Sequence, residues 1–393
     1  MPTDQSVYIA GAYEHPTRNA PDKSTEQLHA EVARGALDDA GLQQEDADGY
    51  LTAGVPEYMD GLPSLTPLVM ADYLGLDVSF ADSTDFGGSA YLSHVGHAVS
   101  AIRDGKCDVA LITLAGRPRS TDAPSGSDSG YLPDFQDSFE EVYGMSTVAK
   151  YAMAARRHMH EFGTTREQLA EIRAAASHHA QYNDDALFQD PVTVEEVLDS
   201  RLVADPLHLL DCCVVTDGGG ALVVVSEAVN ETLDRDTVEI LGHGESIDHH
   251  DAGRNDFTTT GARESGPRAY TEAGVSPADI DYVSIYDSFT ITVLETIEDL
   301  GFCEKGAGGE FVEDGTLRAP DGALPFNTDG GGLCSNHPNR GGMTKVIEAV
   351  RQLRGEAAPE VQVDADVALA HGTGGSLGTR HGAVTLVLGG ETR

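Results

Sequence analysis

Apolar positions along this chain switch repeatedly between the two-residue repeat of a strand and the three-to-four-residue repeat of a helix. Val7–Ala12 reads as a first strand. Ser24 and Gln27 form a capping box, and Leu28, Val32, Ala36 and Leu37 then make one apolar helical face that stops before Gly41. Tyr50–Ala53 predicts a second strand, Leu65–Leu74 a helix, and Val78–Ser83 a short buried strand. Asp85-Phe-Gly-Gly-Ser89 leads into a helix with Leu92, Val95, Val99 and Ile102 on one face. Asp108–Leu114, rich in β-branched residues, predicts a strand.

The pattern then repeats. Ala40-Gly-Leu-Gln-Gln-Glu-Asp-Ala-Asp48 is echoed by Ala273-Gly-Val-Ser-Pro-Ala-Asp-Ile-Asp281, and Asp108-Val-Ala-Leu111 by Asp366-Val-Ala-Leu369. Between them, Ala98–Gly105 resembles Ala349–Gly355. Three weak echoes in one order predict two copies of an α/β unit, with helices covering central sheets. We expect an N-terminal half over residues 1–235 and a C-terminal half over 236–393. Residues 116–205 have no echo and read as an insertion: a Ser/Asp/Pro/Gly-rich loop over Ser120–Asp137, then helices over Ser146–Phe162 and Thr165–Tyr182. Arg156, Arg157, His158 and His160 on the first of these suit either an anionic ligand or a solvated face.

Charge changes the picture of the setting, not of the chemistry. The formal net charge is -40, from 65 acidic and 25 basic residues, and it is spread along the whole chain. Such a surface suits a protein dissolved in molar salt, where the screening length falls to about 3 Å, and it argues against nucleic acid as a partner. No signal-peptide pattern and no membrane-length apolar run are present, so a cytoplasmic protein with no membrane role is expected. Cys107, Cys212, Cys213, Cys303 and Cys334 have neither disulfide-framework nor zinc-ligand spacing. Asp248-His-His-Asp251 reads as a polar loop and Asn230-Glu-Thr232 as an unused glycosylation signal.

The stretch richest in candidate chemistry is Asp329-Gly-Gly-Gly-Leu-Cys-Ser-Asn-His-Pro-Asn-Arg-Gly-Gly342. Its glycines, Gly331 and Gly332 among them, let backbone amides approach a ligand or cofactor closely. His337 on the turn into a helix is a candidate acid or base.

Together with Asp211-Cys-Cys-Val-Val-Thr-Asp-Gly-Gly-Gly220, Tyr286-Asp-Ser-Phe-Thr290 and His371-Gly-Thr-Gly-Gly375, this stretch resembles the thiolase superfamily over nearly the whole chain. The resemblance implies an α/β thiolase fold: duplicated βαβαβαββ halves in a five-layer αβαβα sandwich with an inserted loop domain. It also marks departures. Asp85 occupies the slot of the family's nucleophilic cysteine, where a carboxylate is a poor acyl carrier. Ser89 is the nearest hydroxyl able to replace it, with His337 as its base, although Ser89 also suits a purely structural place at a tight turn. His371 stands in for the second cysteine as proton carrier, or is a buried structural histidine. Tyr286 replaces the usual Asn or His ahead of an acidic residue and is a further candidate acid or hydrogen-bond donor.

Ser89, His337 and His371 resemble the catalytic subunits of haloarchaeal β-ketothiolases, and the acidic composition agrees. That resemblance implies reversible condensation or thiolysis of short-chain 3-oxoacyl-CoA. His337 and Tyr286 would hold one oxyanion, and amides near Gly374 and Gly375 the other. Arg156 and Arg157 are expected to help bind coenzyme A, which is a substrate; no resident cofactor or metal is expected. The alternative resemblance is to thiolase-like aldolases, which cleave 3-hydroxyacyl-CoA without an acyl-enzyme, through Tyr286 or a histidine. Both groups imply a homodimer or larger assembly and a separate small OB-fold, zinc-ribbon-type partner chain.

Overall fold

The computed structural model describes residues 5–53, 66–121, 146–248 and 256–390. The described residues include eleven strands: β1 (Val7–Glu14), β2 (Gly49–Leu51), β3 (Phe80–Asp82), β4 (Val109–Gly116), β5 (Leu202–Ala204), β6 (Leu207–His208), β7 (Gly218–Ser226), β8 (Val238–Asp248), β9 (Tyr282–Ile285), β10 (Val367–Ser376) and β11 (Thr379–Gly389). The helices of eight residues or more are α1 (Thr25–Ala40), α2 (Pro67–Leu74), α3 (Ala90–Arg103), α4 (Thr147–Phe162), α5 (Arg166–Ala180), α6 (Ala262–Ala273), α7 (Thr290–Asp299) and α8 (Gly342–Arg354). Their starts follow the sequence signals closely. Ser24 caps α1 in a capping box with Gln27, Thr165 caps α5 in one with Gln168, and Ser146 caps α4.

Nine strands form one hydrogen-bonded sheet in the order β3-β2-β4-β7-β1-β8-β11-β10-β9. The series β1–β7–β4–β2 runs antiparallel, antiparallel, parallel, and β8–β11–β10–β9 repeats that series on the other side. The two series meet at a short antiparallel junction, Tyr8 opposite Glu239 and Ile9 opposite Val238.

The echoes in the sequence have a physical cause. Asp48 accepts from the amides of Asp108 and Val109 where β4 begins, and Asp281 accepts from those of Asp366 and Val367 where β10 begins. Each aspartate fixes the register of a parallel pair by satisfying amides at a strand's start.

Burial sorts the elements into layers. Val95, Val99 and Ile102 of α3 and Val346, Ile347 and Val350 of α8 share one core with Ile112, Leu222 and Val224 from one series and Ala370, Val384 and Leu386 from the other. These two helices therefore lie between the halves of the sheet. Helix α1 covers the outer face of the first series through Val32, Ala36 and Leu37, against Tyr50, Leu111 and Val223. Helices α6 and α7 cover the second series, joined by Tyr151 of α4 and Leu169 and Ile172 of α5. Alternation of side chains makes this layering possible, because β4 and β7 are buried on both faces along their whole length.

Two expectations are corrected. The strand expected over Val78–Ser83 is only Phe80–Asp82, and it is a partly exposed edge paired with β2 alone. His158 is not on a solvated face: it is buried, with Thr164 on Nδ1 at 2.8 Å and Glu298 on Nε2 at 3.0 Å. Most of the Ser120–Asp137 loop, and His249, His250 and Asp251, lie outside the described residues. No helix among the described residues is long and apolar enough to cross a membrane.

Candidate active site

The beginnings of α3 and α8 meet in the central layer, and the site forms there. Their contact requires glycine: a Cβ on Gly342 would lie 2.1 Å from the Gly88 carbonyl oxygen. Tyr286, just past β9, then packs its ring on Gly88, where a Cβ would come within 2.5 Å of Cζ. Gly341 sits against both the His337 and the Tyr286 rings. The outcome is a close pair, with the Tyr286 hydroxyl 2.7 Å from His337 Nε2. Both residues are nearly buried, at 7% and 8% exposure.

A buried polar frame holds the histidine in place. The His337 amide donates to Thr216 Oγ1 at 2.8 Å, and Thr216 in turn donates to Asn336, which donates to Glu14. Asp287 accepts from the amides of Gly332 and Leu333 at 2.8 and 3.0 Å, and Lys345 Nζ lies 3.3 Å from it. The amides of Gly331 and Gly332, expected to face a ligand, are thus already bonded, to Asp329 and Asp287 respectively.

Electrostatics follow from this burial. Desolvation pulls the His337 pKa down to about 4; the negative Asp287 opposes the shift and the positive Lys345 reinforces it. Burial also raises the Tyr286 phenol well above its ordinary value. At neutral pH the pair is therefore a neutral imidazole beside a protonated phenol. Lys345 stays cationic despite its burial, because Asp287 and Asp329 outweigh the desolvation.

The remaining predicted residues lie as follows. Ser89 is fully buried at the start of α3 and donates to the Phe86 carbonyl at 3.0 Å; no hydrogen bond joins it to His337. Its hydroxyl does face the next predicted segment, since a Cβ on Gly374 would lie 3.1 Å from Ser89 Oγ. Gly375, by contrast, is exposed, with φ of +72°. His371 bonds Thr385 Oγ1 through Nδ1 at 2.9 Å, and Thr385 meets Ser265 of α6. By strand alternation His371 points to the sheet face opposite Gly372 and Gly374, away from Ser89. Burial lowers its pKa to about 3. Asp85 is held in a two-point ion pair with Arg340. Cys334 is buried and its thiol is pushed up to about 12, which removes it as a nucleophile at neutral pH.

Arg156 and Arg157 line a cavity of about 860 Å³ on α4, together with His160, Asp205 and Phe257. Arg156 pairs with Asp205 and Arg157 with Glu161. Tyr286 and His337 do not line it.

Sequence reasoning missed Thr216, Asp287, Lys345 and Arg340. Thr216, Asp287 and Arg340 lie inside motifs that the sequence does display. Lys345 acts through tertiary placement, which no spacing announces.

Residues 7–228 match the family model "Thiolase, N-terminal domain", and residues 244–389 match "Thiolase C-terminal domain-like". The chain is 35% identical to an acetyl-CoA acetyltransferase of Methanothermobacter thermautotrophicus, over 91% of this chain and 93% of the relative. It is 33% identical to a steroid side-chain-cleaving aldolase of Thermomonospora curvata, over 90% and 91%. Among solved structures it superposes on the Ltp2-ChsH2(DUF35) aldolase with a TM-score of 0.86 at 32% identity, covering 99% of this chain and 98% of that one.

Proposed function

This chain belongs to the thiolase family, and from that premise we propose that it makes or breaks a carbon–carbon bond beside a coenzyme A thioester without an acyl-enzyme, as a retro-aldolase. The observation that carries this reading is the Tyr286–His337 pair at 2.7 Å, set against a Ser89 hydroxyl bonded to Phe86. A serine nucleophile needs a base within hydrogen-bond reach, and among the described residues Ser89 has none in contact. The buried cysteines are no better, because burial raises their thiol pKa values.

The substrate of this reaction is a 3-hydroxyacyl-CoA. Its hydroxyl proton passes to the Tyr286 oxygen as the Tyr286 proton passes to neutral His337. The Cα–Cβ bond breaks, the new carbonyl departs, and the electron pair remains as the CoA enolate. The proton stored on His337 returns through Tyr286 to Cα, so the dyad ends as it began. A general base must be unprotonated at working pH, and burial keeps the His337 ring in that form.

Coenzyme A enters as substrate, and the α4 cavity with Arg156 and Arg157 is the proposed place for its phosphates, which would exchange with Asp205 and Glu161 as partners. The similarity to the Ltp2-ChsH2(DUF35) aldolase supports a partner chain of the DUF35 type.

A second reading is supported by the acetyltransferase relative: Ser89 as acyl acceptor, with condensation or thiolysis of 3-oxoacyl-CoA. It requires Ser89 to leave Phe86 and approach His337.

Kinetics on a 3-hydroxyacyl-CoA, in molar salt with a DUF35-type partner present, separates the two. Tyr286→Phe should lower kcat about 100-fold or more, the usual scale of a lost acid–base group, and Ser89→Ala should change it less than about threefold. The reverse pattern would reject the aldolase reading.

A further inference from the structure

Asp85 raises a question that the dyad leaves open: why a carboxylate stands at the start of α3, next to the chemistry. Its oxygens are committed. Arg340 Nε donates to Oδ1 at 3.0 Å and Nη2 to Oδ2 at 2.6 Å, the fork geometry of a guanidinium on a carboxylate. Oδ1 also accepts from the Gly87 amide at 3.0 Å. Gly87, at φ +60°, is itself pressed against Gly374 and Gly375, so the turn that carries Asp85 has little room to shift. Arg340 is almost wholly buried.

We propose that Asp85 and Arg340 are a positioning pair that holds the Tyr286–His337 dyad in working geometry. The inference rests on the dyad reading above and adds residues that touch neither substrate nor reacting atoms. Two chain segments converge at the dyad, residues 85–89 and 337–342, and each contributes a glycine that contacts the Tyr286 ring, Gly88 and Gly341. Gly341 also lies against the His337 ring, and it is the residue directly after Arg340. The backbone between them folds tightly, with the Asn339 amide donating to the His337 carbonyl at 3.1 Å and Asn339 at φ +71°. Arg340 is thus the charged anchor of a turn whose other end is the catalytic histidine. Asp85 fastens that anchor to the segment that seats the tyrosine. A fork held at two points resists rotation, which a single hydrogen bond or a lysine cannot do. Displacement of one reacting group by about 1 Å lowers rate by about 100-fold, so a clamp of this kind matters to turnover more than to binding.

The test uses the full chain and two readouts. The first is carbethoxylation of His337 by diethylpyrocarbonate, followed by peptide mass mapping, with His371 as internal control. In Asp85→Asn, which keeps the size of the side chain, and in Arg340→Met, His337 should react about tenfold faster than in the wild type while His371 is unchanged. The double variant should react no faster than the singles, because one interaction is lost in all three. Arg340→Lys should behave like Arg340→Met. The second readout is cleavage of a 3-hydroxyacyl-CoA, where kcat should fall about tenfold or more with KM within about twofold.

Unchanged His337 labelling in both single variants, multiplicative effects in the double, or full rescue by lysine would overturn the pair. Failure of the wild type to cleave the hydroxyacyl substrate would count against the dyad's proposed chemistry, while the labelling would still decide for or against the pair.

Discussion

At the scale of single residues, the account rests on a neutral imidazole. Free histidine titrates near 6.5, but burial takes His337 down to about 4. The working form is the unprotonated ring, so burial extends activity toward acid, and activity is lost only as pH falls through the lowered value. A kcat/KM profile should therefore stay flat from about pH 8 to 5.5 and drop below about pH 5; an acid limb centred near 6.5 would assign the base elsewhere. The sequence displayed His337 and Tyr286 through their motifs, but not that they would bond each other. That bond depends on Gly88 and Gly341 admitting the rings, and a missing side chain leaves no trace that spacing alone can interpret. Ser89 shows the opposite case. Its place beside a glycine pair suggested a nucleophile, yet its hydroxyl satisfies the Phe86 carbonyl within the 3-10 turn that leads into α3.

At the scale of elements, the repeat explains itself through Asp48 and Asp281. Each is a charged acceptor for two strand-end amides, bonds worth about 1–2 kcal/mol in sum after solvent exposure is allowed for. Asp48→Ala and Asp281→Ala should each lower the unfolding free energy by about that amount in denaturant titrations, and additively, since they share no partner. A cost for only one of them would mean that the two clamps are not equivalent. These elements were legible because the Ala40–Asp48 pattern and the Asp-Val-Ala-Leu start of the following strand recur in the same order at Ala273–Asp281 and Asp366–Leu369. The edge strand was misjudged for a physical reason: Val78, Phe80 and Ala81 look buried in sequence, but β3 has a partner on one side only. The insertion was legible as helices through Ser146 and Thr165, and α4 packs into the core that covers the second series, with the Tyr151 ring 4.3 Å from that of Phe289.

At the scale of the whole molecule, a net charge of -40 means strong self-repulsion that salt relieves. The melting temperature should rise steadily between about 0.1 and 3 M KCl; a Tm indifferent to salt would remove the halophilic interpretation of the composition. Salt therefore belongs in every assay, including the decisive one. Intact-protein mass spectrometry, after mixing the wild type with acetyl-CoA and with acetoacetyl-CoA in molar salt, with and without the proposed DUF35-type partner, asks directly whether this thiolase-fold chain carries an acyl group. The account predicts the unmodified mass under every condition, because among the described residues no serine hydroxyl or cysteine thiol is bonded to the His337 ring, whose partner is the Tyr286 phenol. An acetyl adduct that disappears in Ser89→Ala would contradict it and restore the serine thiolase.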